Sequence, residues 1–325
     1  MNDNLLKYFY GDELAASTWK NKYAANTEEL PDEMHRRMAK EFARIEQKYN
    51  SNILPLTEEA IYELFSNFKY LIPGGSVMAT LGTDTIASLS NCFVTAGPED
   101  SYASIMKIRT QQTLLMKRRG GVGYDLSKLR PEGANVNNPA KTSTGPVSFM
   151  EVNSALTEEV AQQGRRGALM LSMHINHPDI EKFIIKKQDL SKITGANISV
   201  QVADEFMKAV EEDEDYILRF PCDLNVSKEM WLPKQYNQLL TDGNGKYFKL
   251  IKAKELWNKL IQCSWNTAEP GLLFIDRIHN YSPDGVYPGF KAVSTNPCAE
   301  IPMGPYDSCR LSHLNLTSFV IEPFT

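Results

Sequence analysis

Apolar positions in roughly the first seventy residues recur at helical spacing. In "PDEMHRRMAKEFARIEQKY", Pro31 suits the first turn of a helix, and Met34, Met38, Phe42 and Ile45 fall on one face. "TEEAIYELFSNFKYLIP" predicts another helix, closed by Pro73. The Gly/Ser/Thr-rich run "PGGSVMATLGTDTIASLSNCFVTAG" predicts short strands and tight turns, and marks a change of architecture. "EDSYASIMKIRTQQTLLMKRR" predicts a helix with acidic residues at its start and basic ones at its end, which suits the helix dipole. "TGPVSFMEVNSALTEEVAQQ" predicts a further helix with Phe149, Val152, Leu156 and Val160 aligned. Between these two lies "GGVGYDLSKLRPEGANVNNPAKTS", a short strand followed by a long polar loop.

After "QQGRRG" the pattern alternates: strand "ALMLSMHI", helix "HPDIEKFIIKK", strand "GANISVQV", helix "ADEFMKAVEED". "AKELWNKLIQCSW" and "GLLFIDR" add a helix and a strand. Strand, helix, strand, helix indicates an α/β architecture with parallel strands. Two domains are expected, a helical one over 1–74 and an α/β one over 75–325.

The net charge of −5 carries no basic footprint, so a nucleic-acid binder is not expected. No run is long and apolar enough for a membrane span, and the N-terminus lacks the layout of a secretory signal. The five cysteines are spread out, with no CxxC pair, so neither a disulfide framework nor a metal site is expected. A reducing, cytoplasmic setting follows, in which a cysteine pair is catalytic or redox-active rather than structural. Cys222 and Cys263 sit in apolar sequence and read as structural.

Near the end of the chain, "STNPCAEI" places Asn296, Cys298 and Glu300 at alternate positions. On extended backbone they would share one face, with Pro297 and Ala299 turned away. An amide, a thiol and a carboxylate so clustered can hold a hydroxyl, move its proton and do sulfur chemistry. A turn with an incidental buried cysteine fits the same residues equally well.

"SNCF", "RRGGVG", "STGPVSFM", "QQGRRGALM", "NPCAEI" and "SCRLSHLNL", in this order, resemble the catalytic chain of the ribonucleotide reductase family from about Ser76 onward. The resemblance implies an N-terminal helical segment followed by roughly the first half of a ten-stranded α/β barrel, with the loop near 294–301 threaded into its centre. By the same resemblance Cys298 would become a thiyl radical and take the 3′ hydrogen of a ribonucleotide. Glu300 would accept the 3′ hydroxyl proton, and Asn296 would hold ribose hydroxyls. Cys92 and Cys309 would supply the reducing equivalents and end as a disulfide, renewed by thioredoxin or glutaredoxin. Ser76, Ser90, Asn91 and Gly121, with Pro297 and Ala299 of the loop, fall where the family contacts substrate. "RRGGVG" lacks the spacing and lysine of a phosphate loop, so Gly121 serves close backbone approach instead.

The resemblance also implies an effector site for a deoxynucleoside triphosphate or ATP near a homodimer interface. Asp100 would meet its ribose, Lys128 and Arg130 its phosphates, and Lys141 would lie on the loop that closes over it. Gln163, Arg165 and Arg166 would relay the effector's identity to the substrate base. No separate ATP-binding cone is expected, because Cys92 comes too early for one.

Cys309 follows Cys298 by eleven positions (309 − 298). This spacing resembles the adenosylcobalamin-dependent class, acting on diphosphates, more than the class whose radical comes from a metal-containing subunit. The end at Thr325 leads to the expectation of a split or truncated enzyme, inactive alone and completed by a chain carrying the C-terminal half of the barrel. A non-catalytic nucleotide-binding or assembly fragment is the alternative. A plain thiol–disulfide oxidoreductase is a more distant one.

Overall fold

A computed structural model describes residues 2–49, 55–160, 167–227, 230 and 232–322. The chain divides into two compact units, one of 1–91 with 309–325 and one of 92–308. The sequence boundary at 74/75 and this division do not coincide.

The first unit is mainly helical: α1 (Asp3–Tyr8), α2 (Glu13–Lys22), α3 (Pro31–Glu46), α4 (Glu58–Phe65) and α5 (Gly75–Thr80). Asn2, Asp12 and Thr57 cap α1, α2 and α4 through side-chain oxygens, satisfying backbone N–H groups that have no helical partner. Helix α3 starts at Pro31 as expected, but its buried face differs. Met34, His35, Met38, Ala39 and Ala43 are buried, whereas Phe42 is exposed. Small alanines let α3 pack closely and turn Phe42 outward, where it meets Phe65 at 5.7 Å between ring centroids. The helix expected through Pro73 ends at Phe65. A 3₁₀ turn, Ser66–Phe68, follows, and then strand β1 (Leu71–Pro73), antiparallel to Ser312–Leu314. Asn67 and Phe68 both have φ of 54°, incompatible with a continuing right-handed helix. The Gly/Ser/Thr-rich run, expected as strands and turns, contains helix α5.

In the second unit β2 (Cys92–Val94), β3 (Gly121–Asp125), β4 (Leu169–His174), β5 (Asn197–Val202) and β9 (Gly271–Phe274) are neighbours in that order and run parallel. Helices α6 (Tyr102–Met116), α7 (Pro146–Glu159), α8 (Ile180–Ile185), α9 (Asp204–Glu211) and α10 (Ala253–Thr267) accompany them, and α11 (Ile275–Tyr281) follows β9. The fold is therefore the α/β class expected from the alternating pattern.

One sheet face carries Val122, Tyr124, Leu169, Leu171, Met173, Ile198, Val200 and Val202. These join Phe183, Phe206, Leu256 and Leu260 in one core. Burying such side chains contributes on the order of 1.5–3 kcal/mol each. In α7 the buried positions are Pro146, Met150, Asn153, Ser154 and Thr157; of the predicted stripe Phe149 and Val160 are half-buried and pack against the core, whereas Val152 is exposed. Hydrogen bonds explain the rotation. Gln112 of α6 donates to the Asn153 carbonyl at 2.9 Å and to Thr157 Oγ1 at 3.0 Å, drawing a polar face inward.

Three antiparallel strands were not expected: β6 (Asp215–Phe220), β7 (Leu240–Thr241) and β8 (Tyr247–Lys252), ordered β6-β8-β7. Their short runs "YILRF" and "YFKLI" lie among charged and turn residues that mask the alternation.

Candidate functional site

The second sheet face is built to receive backbone. Strands β10 (Ser294–Thr295) and β11 (Pro302–Met303) pair antiparallel, and the chain turns between them. Asn296 N–H donates to the Ile301 carbonyl at 3.2 Å, and Ala299 N–H to the Asn296 carbonyl at 3.0 Å. The Asn296 side-chain oxygen accepts from Ile301 N–H at 3.0 Å. Ala299 has φ of +67°, the left-handed conformation that closes the turn.

The segment is thus a hairpin, not the extended run that would align Asn296, Cys298 and Glu300. Asn296 and Pro297 turn inward and are buried, whereas Cys298 and Glu300 are exposed. The reading as a turn with a buried cysteine also fails, since the turn presents its cysteine outward.

Glycines seat this hairpin. A β-carbon on Gly123 would lie 1.8 Å from the Thr295 carbonyl oxygen, and one on Gly121 would lie 2.7 Å from Pro297 Cγ. Only a residue without a side chain admits that approach. Asn197 of β5 donates from Nδ2 to the Pro297 carbonyl at 2.9 Å. Cys92 is the register partner of Gly121, so its side chain projects toward the same face as the hairpin.

Partial burial raises the pKa of the Cys298 thiol, and the nearby Glu300 and Cys92 add to the effect. Cys298 is therefore a protonated thiol at neutral pH, a state suited to giving up a hydrogen atom rather than to acting as a thiolate nucleophile. Asn296 Nδ2 and Thr295 Oγ1 are buried without a hydrogen-bond partner among the described residues. A buried donor of this kind costs about 1–3 kcal/mol unless something accepts from it.

Residues 90–325 match the family model for the ribonucleotide reductase barrel domain. The chain belongs to the ribonucleotide reductase family. It is 34% identical over 262 residues to the vitamin B12-dependent ribonucleoside-diphosphate reductase of Thermoplasma acidophilum, covering 80% of this chain and 31% of that protein. It is 32% identical over 302 residues to the protein of the same name from Mycobacterium tuberculosis (strain CDC 1551 / Oshkosh), covering 92% of this chain and 39% of that protein. The chain thus spans between about a third and two fifths of the length of these relatives.

Of the reductase residues expected from sequence, Cys92, Gly121 and Asn296 to Glu300 come together in the second unit. Ser76, Ser90, Asn91 and Cys309 belong to the first. There Asn91 Nδ2 donates to the fully buried Ser76 Oγ at 3.0 Å. Cys309 ends the short strand Asp307–Cys309 and is buried.

The expected effector residues divide. Asp100 and Arg130 line one pocket of about 270 Å³ with Val136, Asn138, Thr142 and Phe149. Arg130 Nε donates to Asp100 Oδ2 at 2.7 Å, and its backbone N–H donates to Asp100 Oδ1 at 3.1 Å. The loop over this pocket is held by hydrogen bonds from Val136 N–H to the Lys141 carbonyl and from Ser143 N–H to the Ala134 carbonyl. Lys141 itself is exposed and outside the lining, with φ of +62°. Lys128 is also outside it. It pairs with Glu99 at 2.5 Å and lines a different cleft. Gln163, Arg165 and Arg166 lie outside the described residues.

That second cleft, of about 1000 Å³, opens at the C-terminal ends of β3, β4, β5 and β9, where α/β sheets commonly bind ligands. Asp125, His174, Gln201, Asp276, His279 and Lys291 are on its walls. Cys222, expected in apolar surroundings, lines this polar cleft, with its Sγ 3.6 Å from the Ser127 carbonyl. Burial first, and then the Asp125 carboxylate, hold its thiol well above the ordinary pKa. Cys263 is buried on α10 as expected. No helix among the described residues is long and apolar enough to cross a membrane.

Proposed function

We propose that this chain carries the thiyl-bearing part of an enzyme that reduces ribonucleoside diphosphates to 2′-deoxyribonucleoside diphosphates. The observation supporting this most is the exposed, protonated Cys298 on a glycine-seated hairpin, with Cys92 and Glu300 close enough to raise its pKa. As a thiyl radical, Cys298 takes the 3′ hydrogen of the ribose while Glu300 accepts the 3′ hydroxyl proton. The C2′–O bond breaks and the leaving oxygen departs as water, protonated by a thiol. Cys92 and Cys309 give up two electrons and two protons between them, one proton completing the water and the other hydrogen forming the new C2′–H bond, and become a disulfide, while Glu300 returns its proton to the 3′ oxygen. Cys298 then returns its hydrogen to C3′. The balance is one ribonucleotide and one dithiol giving one deoxyribonucleotide, one water and one disulfide.

Asn296 Nδ2, buried without an acceptor among the described residues, is suited to a ribose hydroxyl. Gly121, Pro297 and Ala299 shape the floor under the sugar, and Ser76, Ser90 and Asn91 are proposed as further contacts. The Cys92–Cys309 pairing rests on chemistry and on the family resemblance, since the two residues belong to different units. A thioredoxin-type dithiol would renew the pair.

The cofactor named for the relatives is vitamin B12. The polar cleft at the strand ends fits the deoxyadenosyl end of adenosylcobalamin, whose hydroxyls and ring nitrogens need partners such as His174, Asp276, His279 and Lys291. When bound, that cofactor supplies the radical that removes the hydrogen atom from Cys298. A deoxynucleoside triphosphate effector is proposed for the pocket of Asp100 and Arg130, its phosphates competing with the carboxylate for the guanidinium.

The reaction is proposed for an assembly in which this chain works with the remainder of a barrel. Mixing the chain with a barrel-completing reductase chain, adenosylcobalamin, a dithiol and a ribonucleoside diphosphate should yield deoxynucleotide. Tight dNTP binding with no reduction in that mixture would favour a non-catalytic binding module and overturn the catalytic reading.

A further inference from the structure

The hairpin is held behind its turn as well as at it. Ser294 Oγ lies 2.9 Å from Ser172 Oγ, and Gln201 Nε2 donates to the Val293 carbonyl at 3.0 Å. Both contacts lead to one carboxylate. Asp125 Oδ1 accepts from Ser127 Oγ at 2.8 Å, Gln201 Nε2 at 3.0 Å and Ser172 Oγ at 3.2 Å. Its Oδ2 accepts from Ser127 N–H at 3.1 Å. Gln201 and Ser172 are also bonded to each other at 2.9 Å. Ser127 Oγ in turn accepts from His174 N–H at 2.7 Å.

This arrangement is expensive for a sheet that needs only adhesion. Each buried polar group is costly unless it is satisfied, and apolar side chains would fill the same space. Hydrogen bonds do what apolar filling cannot, which is to fix direction and height. Ser172, Gln201 and Ser294 are 0%, 5% and 1% exposed, so water does not substitute for their partners. Asp125 keeps part of its surface toward the cleft, but its oxygens are enclosed by donors, and burial pushes its pKa up to about 6. At neutral pH it remains an acceptor for every neighbour just named.

The pins end on Val293 and Ser294, the residues that lead into the turn bearing Cys298. Gly123 and Asp125 alternate along β3, so the seat of the hairpin and its anchor share one sheet face.

We infer that Asp125 is a positioning residue for Cys298. It fixes the rotamers of Ser172 and Gln201, which pin Ser294 and Val293 and so set where the turn stands over the sheet. Its catalytic consequence rests on the function proposed above; the anchoring does not.

Peptide-resolved hydrogen–deuterium exchange on the chain, with Asp125→Ala, Asp125→Asn and Ser294→Ala, tests this without turnover. Exchange across 293–303 should accelerate about tenfold in Asp125→Ala and Ser294→Ala, the loss of one or two hydrogen bonds, with α10 unchanged. Asp125→Asn, which keeps an acceptor oxygen, should restore most of the protection. Alkylation of Cys298 by iodoacetamide should rise in parallel. In the completed enzyme kcat should fall with KM unchanged. Unchanged hairpin exchange in Ser294→Ala, which removes only the hairpin's end of the network and keeps the sheet intact, would overturn the inference even if Asp125→Ala failed to fold. So would equal acceleration of α10 and the hairpin. If the exchange result holds but no nucleotide is reduced, the anchor stands and the proposed reaction falls.

Discussion

Gly123 and Thr295 meet backbone to backbone, so closely that a β-carbon on the glycine would stand 1.8 Å from the threonine carbonyl oxygen. The clash is with main chain, which cannot rotate away as a side-chain tip can. Gly123→Ala should therefore lift the hairpin while the helix-covered face of the sheet stays packed. Reduction by the completed enzyme should fall on the order of a hundredfold, since misplacement of about 1 Å has that effect. Circular dichroism should be unchanged. Near-wild-type turnover would mean that the hairpin is not held at this height during catalysis.

Asn296 offers a second test. Its oxygen caps Ile301 N–H and its Nδ2 is buried without an acceptor among the described residues. Asn296→Asp keeps the cap but replaces the donor with an acceptor. Reduction should drop by two orders of magnitude or so, for lost hydrogen bonding to a sugar hydroxyl and a charge beside it. Hairpin exchange should stay near that of the wild type. A variant with normal kcat/KM would remove Asn296 from the substrate.

Acid sensitivity should appear in the helical unit. His35 is 1% exposed, packs edge-on to Phe68 at 4.7 Å, and burial lowers its pKa to about 4. The unfolded chain protonates near 6.5 and the folded chain only near 4, so the unfolded state binds more protons between them. Stability is full above about pH 6.5 and falls by up to about 3 kcal/mol as pH drops toward 4. His35→Leu should flatten that slope in urea titrations across this range. An identical slope in the variant would assign the acid sensitivity to other groups.

The expected effector site can be tested by binding alone. Arg130 bonds to Asp100 and to the Asn135 carbonyl at 2.5 Å, and it lines the pocket. Arg130→Ala should weaken dNTP binding by roughly tenfold or more, the loss of a charge-assisted contact to phosphate. Lys128→Ala should leave it unaltered, because Lys128 faces the other cleft. The reverse ranking would place the phosphates elsewhere.

The sequence made the α/β alternation legible because both faces of the parallel strands are buried. "LMLSMH" and "NISVQV" therefore read as strands in any register. It also brought out Cys92, Gly121 and the Asn296–Glu300 run. The geometry of that run was not readable. A left-handed Ala299 closes the turn, and nothing in an alanine announces positive φ. The Asp125–Ser172–Gln201 anchor was invisible for a related reason. Its members are polar residues scattered over three strands, ordinary one by one and meaningful only when register brings them together. Helix phases slipped at Phe42 and Val152 because small or hydrogen-bonded residues, not the largest apolar ones, took the inner face.

The central claim concerns the sulfur of Cys298, and isotope transfer at C3′ tests it most directly. A ribonucleoside diphosphate deuterated at C3′ would be supplied to the completed enzyme with adenosylcobalamin and a dithiol. The wild type should form deoxynucleotide with a primary isotope effect, and Cys298→Ser should form none while keeping the wild-type fold. Deoxynucleotide formation by Cys298→Ser, or the absence of any isotope effect together with unaltered turnover in that variant, would contradict the assignment of Cys298 as the group that takes the 3′ hydrogen.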